Sequence, residues 1–176
     1  MRLTRGLLLA TVLAAALALG SSAAAGPAQD GTLTVRDGRG GIVVRAKGSI
    51  IGRLGKGTLT ISVGRDEGAT IVARGAERTR QWNGKTTVYS GTNIRFRIAH
   101  DRRVVVKLNG RAIFFSAVGR GEGWIDGRGD PAAGIFFDGS YSLNGEPYQS
   151  LPDLRTPFEL ILSPPPGSGS SAGWLG

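Results

Sequence analysis

Residues 86–118 read TTVYSGTNIRFRIAHDRRVVVKLNGRAIFFSAV, and this stretch decides the fold class. Apolar side chains alternate with arginines through residues 94–98, and this period of two is typical of a half-buried β-strand. The three-to-four spacing of an amphipathic helix is missing. Glycine and asparagine separate the apolar runs, and a dipeptide such as Asn109-Gly110 favours a tight hairpin turn. The stretch therefore predicts short antiparallel strands joined by turns.

The same pattern continues on both sides of this stretch. The predicted strands are residues 32–36, 42–47, 58–63, 70–74, 86–89, 94–98, 104–108, 113–118, 124–126 and 158–162, with weaker signals at 50–51 and 135–137. Asp37-Gly38 and Asn83-Gly84 predict two more hairpin turns. Turn signals every 8 to 12 residues or so are typical of a β-sandwich or β-barrel.

Residues 31–61 look like a diverged copy of residues 91–125. The matching pieces are Gly31-Thr32 with Gly91-Thr92, residues 43–48 with 105–110, and residues 55–57 with 119–121. We therefore predict an all-β fold in which two similar four-stranded units form a closed barrel or a sandwich. The alternative is a β-solenoid of stacked rungs.

The N-terminus has the three parts of an export signal. Arg2 and Arg5 precede an apolar run over residues 7–19, and Ala23-Ala24-Ala25 supplies a cleavage site. This apolar run is shorter than the roughly 20 residues that cross a bilayer. We expect a signal peptide over residues 1–25, a single β domain over 26–162 and a disordered Pro/Gly/Ser tail over 163–176. The predicted location is secreted or cell envelope, and because the chain has no cysteine a disulfide framework is excluded.

Three stretches carry a resemblance to other proteins. Residues 48–61, 89–97 and 141–153 resemble uncharacterised exported, glycine-rich β proteins of GC-rich bacteria. The resemblance implies an exported β-rich protein, and it implies no activity, ligand or site residue.

The sequence contains no catalytic signature. His100 is the only histidine and stands beside Asp101 in a predicted solvated turn. A catalytic triad also needs a serine within reach of the ring, and neither Ser90 nor Ser116 lies in a Gly-x-Ser-x-Gly elbow. We therefore predict no catalytic residue, no metal site and no cofactor.

Acidic residues crowd one stretch of the chain and leave an alternative function open. They are Glu122, Asp126, Asp130, Asp138 and Glu146. A pair of carboxylates across a cleft could hydrolyse a glycoside, and several converging oxygens could bind calcium. The alternative to our main interpretation is thus a secreted hydrolase that uses acids in the 122–138 stretch. Acids that are simply solvated in loops would give the same pattern.

Charge gives the strongest indication of function. Residues 31–120 carry 18 basic and 5 acidic side chains, whereas residues 121–176 carry 2 basic and 7 acidic ones. A basic β-face favours a polyanionic partner, such as an envelope polymer or an anionic lipid surface. Aromatic side chains do not form the stacking row that a specific nucleic-acid site needs. The predicted polyanion-binding residues are Arg45, Lys47, Arg95, Arg97 and Lys107.

The same charge pattern is also compatible with a surface that binds nothing. Basic residues keep many protein surfaces soluble, and the acidic C-terminal part could fold over the basic part and neutralise it. The sequence predicts neither the oligomeric state nor the ligand. Our main interpretation is an exported, non-enzymatic β-module with a binding or structural role in the envelope.

Overall fold

The computed structural model describes residues 29–64, 69–129, 132 and 138–162. Within these residues the strands are β1 (Gln29–Val63), β2 (Thr70–Arg74), β3 (Arg78–Trp82), β4 (Thr86–Gly127), β5 (Ser140–Leu143), β6 (Gln149–Ser150) and β7 (Thr156–Leu162). The all-β prediction is confirmed. None of the described residues forms a helix that could span a membrane. The predicted signal peptide, the 135–137 strand, Asp130 and the C-terminal tail lie outside the described residues.

Two long strands dominate the fold. Most residues of β1 between 40 and 62 pair with two residues of β4 at once, so that Ile50 pairs with both Ile98 and Ala117. β1 pairs in antiparallel fashion with β4, β5 and β7. The two strands are therefore interleaved, and each supplies the neighbours that the other needs.

The pairings group into two half-sheets, which together form one continuous antiparallel sheet. In the order of their hydrogen bonding, the first half-sheet contains residues 70–74, 94–99, 49–54, 113–118, 31–35, 140–143 and 149–150. The second contains residues 78–82, 86–90, 58–62, 104–109, 41–46, 121–126 and 156–160. β1 and β4 pass repeatedly from one half-sheet to the other. Within the described residues the sheet is not closed, so the closed barrel, one of the two arrangements that the sequence predicted, is not observed.

Glycines occupy points at which β1 and β4 pass from one half-sheet to the other. Gly48 and Gly119 pair with each other, with φ of 129° and 153°. A side chain on either would meet the carbonyl oxygen of the other strand, Val118 for Gly48 and Lys47 for Gly119. Both positions therefore require glycine, for the backbone conformation and for the close approach of the two strands.

Two of the three predicted hairpins are wrong. Asn83-Gly84 does form a turn, between β3 and β4. Asp37-Gly38 lies inside β1, at a shift in register, and Asn109-Gly110 lies inside β4. Such dipeptides favour turns because they reach positive φ easily, and Asp37 does so at 49°. Here these positions bend a continuous strand and do not reverse it.

Both half-sheets contribute to one hydrophobic core. Inward positions alternate with outward ones, so that Ile94, Phe96 and Ile98 are buried while Arg95 and Arg97 are exposed. Side chains from the second half-sheet, such as Val44 and Leu59, belong to the same buried cluster. Functional groups must therefore lie on the outward surfaces or at the corners.

Candidate anion-binding site

Three arginines lie directly opposite one another on the outward side of the first half-sheet. Arg95 of β4 pairs with Arg74 of β2 on one side and with Arg53 of β1 on the other. Neighbouring strands are about 4.8 Å apart, so the three side chains start from a row about 10 Å long. All three side chains are exposed.

Two more arginines extend this row into a surface. Arg97 lies two residues along the strand from Arg95, and Arg36 lines the same shallow groove as Arg53. We call the surface formed by Arg36, Arg53, Arg74, Arg95 and Arg97 the arginine face. No outward residue of the strand segments in this half-sheet is acidic. Within the described residues, none of the five forms an ion pair with a carboxylate.

Apolar side chains lie between these cations. Ile51 is 51% exposed, and Val72 and Phe114 are also exposed. The Arg53 guanidinium lies 4.6 Å from the centre of the Phe114 ring, a cation–π contact that orients the cation without neutralising it. Arg36 stacks in the same way on Tyr148, at 4.2 Å. The face therefore presents cations held in place beside apolar surface.

The second half-sheet carries cations that have acidic neighbours. Arg45 lies directly opposite Glu122, and Glu122 lies opposite Glu159 on its other side. Next to Lys47, the Arg120 side chain donates a hydrogen bond from Nε to Asp30 at 3.0 Å. The C-terminal part of the chain thus supplies acids to this half-sheet, as one of the sequence alternatives proposed, and supplies none to the arginine face.

The structure divides the five predicted binding residues into two sets. All five are exposed. Arg95 and Arg97 belong to the arginine face, whereas Arg45 and Lys107 lie on the second half-sheet and Lys47 directly follows its 41–46 segment. Sequence reasoning missed Arg36, Arg53 and Arg74. Alternation along each strand indicates that they point outward, but only the register shows that Arg53 and Arg74 flank Arg95.

His100 is placed differently from the solvated turn that we expected. The residue lies within β4 and is only 7% exposed. Its Nδ1 accepts a hydrogen bond from the Arg102 backbone N–H at 2.7 Å, and its Nε2 is buried without a hydrogen-bond partner among the described residues. Asp101 is 3.5 Å from Nδ1 and 86% exposed. One ring nitrogen of His100 is thus engaged in a backbone hydrogen bond and the other is buried.

The acids of the 122–138 stretch occupy different surroundings. Glu122 lies on the outward surface opposite Arg45, Asp126 lines a groove that Lys107 also lines, and Asp138 is buried. Among the described residues no group of acids and histidines has the arrangement of a metal site. The hydrolase alternative therefore stays a prediction.

The row formed by Arg74, Arg95 and Arg53 is expected to lower the stability of the protein. Like charges directly opposite each other on neighbouring strands are destabilising, by up to about 1 kcal/mol. Arg95→Gln should therefore raise the free energy of unfolding by about 0.5–1 kcal/mol in low salt, as measured by urea denaturation. At 1 M salt the gain should vanish, because the Debye length falls to about 3 Å. The matched control is Arg97→Gln, since Arg97 lies opposite Val72 and Ile51 and has no like-charged pair to relieve. An equal gain in both variants would contradict this account.

The structure thus assembles an uncompensated cationic surface from three separate strands, with apolar side chains among the cations. Comparison of the chain with family models, with curated proteins and with solved structures gives no match.

Proposed function

We propose that this protein is an exported, non-enzymatic β-module that binds a polyanionic component of the cell envelope through the arginine face. The observation that carries the proposal is the row Arg74, Arg95 and Arg53, in which like charges lie directly opposite each other. Such an arrangement costs stability in the free protein. An anionic polymer laid across the row removes that cost and gains charge-assisted hydrogen bonds from the guanidinium groups.

The shape of the face supports a polymeric ligand over a single small anion. Its cations are spread over several strands on an open surface and do not converge on one point. Repeated anionic groups along a chain can contact several guanidinium groups at once, and each contact releases counterions. The exposed Ile51 and Phe114 add apolar area for the carbon skeleton of such a polymer.

Export belongs to the same proposal and rests on residues 1–25. The positive end, the apolar run and the alanine cleavage site together favour cleavage before Gly26. The resemblance to exported β proteins of GC-rich bacteria agrees with this location. A cell envelope is rich in acidic polymers and would provide the partner that the face requires.

We also propose that residues 31–61 and 91–125 are duplicated units arranged as a sandwich. What supports this is that both enter the half-sheets in the same alternating order. The first half-sheet contains two matching pairs of segments, 31–35 with 94–99 and 49–54 with 113–118. The second half-sheet contains the other two pairs, 41–46 with 104–109 and 58–62 with 121–126. If each segment is replaced by its match in the other unit, the order of these four segments in each half-sheet is reversed. A two-fold axis that relates the two units would have this effect.

The function is tested by the salt dependence of binding. The mature chain, from residue 26, is titrated against long-chain polyphosphate at increasing salt. If all five arginines each neutralise one anionic group, a plot of log K against log salt concentration should fall with a slope of about −4. A slope near zero, or no binding in low salt, would overturn the proposal.

A further inference from the structure

A second concave site lies on the opposite half-sheet, around Trp124. The groove has a volume of about 370 Å³, which lies within the range of small-ligand sites. Its polar lining is unlike that of the arginine face, because it mixes donors with an acceptor carboxylate. The lining includes Lys107, Asn109, Trp124, Asp126, Arg128 and Arg155.

An aromatic ring and a cation form one wall of the groove. The Trp124 side chain is 39% exposed, and the Arg155 guanidinium lies 4.3 Å from the ring centre. Val43 pairs with Trp124 on the neighbouring strand and also lines the groove. An exposed indole beside an aliphatic side chain offers a flat apolar surface, while the guanidinium next to it can bind a carboxylate.

A carboxylate with an unmet hydrogen-bonding requirement lies beside this wall. Asp126 pairs with Gly41 across the strands, and its Oδ1 is buried and accepts no hydrogen bond among the described residues. This oxygen packs against Gly41, whereas the Asp126 side chain as a whole is half-buried and lines the groove, where its carboxylate can accept from a ligand hydroxyl. Gly41 is what leaves room for this arrangement, because a methyl group at residue 41 would contact Asp126 Oδ1.

The groove continues into a second, strongly basic depression. Asn109 and Arg128 line both cavities, and the second has a volume of about 490 Å³. Arg39, Lys56 and Arg111 line this extension, and none of the described residues around it is acidic. A ligand that fills both cavities would therefore meet hydrogen-bonding and apolar groups at one end and cations at the other.

We infer that the Trp124 groove binds an acidic oligosaccharide. The apolar face of a sugar ring fits against Trp124 and Val43, and its hydroxyl groups can donate to Asp126 and accept from Asn109. Carboxylate groups on this ring and on the next one fit Lys107, Arg155 and the cations of the extension. This site is distinct from the arginine face, and the inference does not depend on the proposed function.

The test compares three probes on the mature chain by isothermal titration calorimetry. The probes are a galacturonic acid tetramer, a neutral glucose tetramer and short-chain polyphosphate. The acidic sugar should bind to the groove more tightly than either of the others. Trp124→Ala and Asp126→Asn should each weaken its binding by about tenfold or more, since each removes a contact to the ring. Gly41→Ala should have the same effect as Asp126→Asn, because the new methyl group displaces the carboxylate.

The chain offers a matched control for each variant. Trp82 is a tryptophan of β3 that is 69% exposed and lies outside the groove lining, so Trp82→Ala should leave binding unchanged. Glu122 also lies outside the groove lining, so Glu122→Gln alters charge as Asp126→Asn does without touching the site. Circular dichroism and urea denaturation are used to check that each variant is folded.

Three outcomes would overturn the inference. One is equal binding of polyphosphate with no effect of Trp124→Ala, which would make the groove a merely charged surface. Another is failure of the acidic sugar to bind at all. The third is acidic-sugar binding that is lost when Arg53, Arg74 and Arg95 are replaced by glutamine and kept when Trp124 and Asp126 are replaced. That result would assign the sugar to the arginine face. The proposal for the groove can therefore be rejected without rejecting the proposal for the arginine face.

Discussion

Gly119→Ala is expected to destabilise the protein severely, and in the extreme to leave it unfolded. At a φ of 153° an alanine is strained, at a cost of about 1–3 kcal/mol. The added methyl group would also contact the Lys47 carbonyl oxygen of the paired strand, and relieving such overpacking costs roughly another 1–3 kcal/mol. Because whole domains are stable by only about 5–15 kcal/mol, this sum is a large fraction of the total. The measurement is the midpoint of urea denaturation, followed by circular dichroism.

Gly84→Ala is the matched control for this prediction. Gly84 also has a positive φ, of 64°, but nothing lies near the position that its side chain would occupy. The control should therefore cost only the conformational strain, about 1–2 kcal/mol. If Gly119→Ala were no worse than Gly84→Ala, the close strand approach at this corner would not matter for stability.

The alternation of apolar and polar residues made most of the strands predictable. Residues 70–74 were predicted with the bounds that β2 has, and the predicted runs at 94–98 and 104–108 lie within β4. Alternation is a local property, so it can be read without knowing which strands pair. Strands β3, β5 and β6 were missed. β3 and β6 consist of exposed residues without apolar alternation, and β5 spans only four residues.

The path of the chain between strands was not predictable from such local patterns. A glycine or an asparagine that reaches positive φ can reverse a strand or bend it, and the dipeptide alone does not distinguish the two. Neither Asn109 nor Gly110 has a positive φ, and the chain continues there as a strand in which Gly110 lies opposite both Gly40 and Gly57 of β1. Contacts between residues so distant in sequence leave no local signal.

This path explains why a single basic face was expected and two surfaces were found. Because β1 and β4 pass between the half-sheets, cations that are close in sequence, such as Arg45 and Arg53, lie on different half-sheets. Cations from three different strands meet instead, as Arg53, Arg74 and Arg95 do. The excess positive charge of residues 31–120 was therefore visible in the sequence, whereas its grouping depended on the register.

Replacing Arg53, Arg74 and Arg95 together by glutamine is expected to weaken polyanion binding by about a hundredfold. A basic side chain near an anionic surface contributes about 1 kcal/mol, and three of them contribute about two powers of ten in affinity. The control replaces Arg45, Lys47 and Lys107 by glutamine, which lowers the net charge by the same three units on or next to the other half-sheet. The affinity of the control variant for the polyanion should fall by less than about tenfold, because Arg45 has an acidic neighbour in Glu122. Binding of polyphosphate is measured for both variants at the same low salt concentration.

The stability of the two variants separates lost binding from lost folding. Substitutions at exposed positions usually change stability by less than about 0.5 kcal/mol, and the arginine-face variant also loses the repulsion along its row. The arginine-face variant should therefore unfold at the same urea concentration as the wild type or at a higher one. It should also bind polyphosphate more weakly than the wild type and the control variant. Equal losses of affinity in both variants would mean that the polyanion responds only to net charge. A variant that binds the polyanion more weakly and folds at least as well is what the proposed function predicts, because the arginine row would then lower stability and strengthen binding.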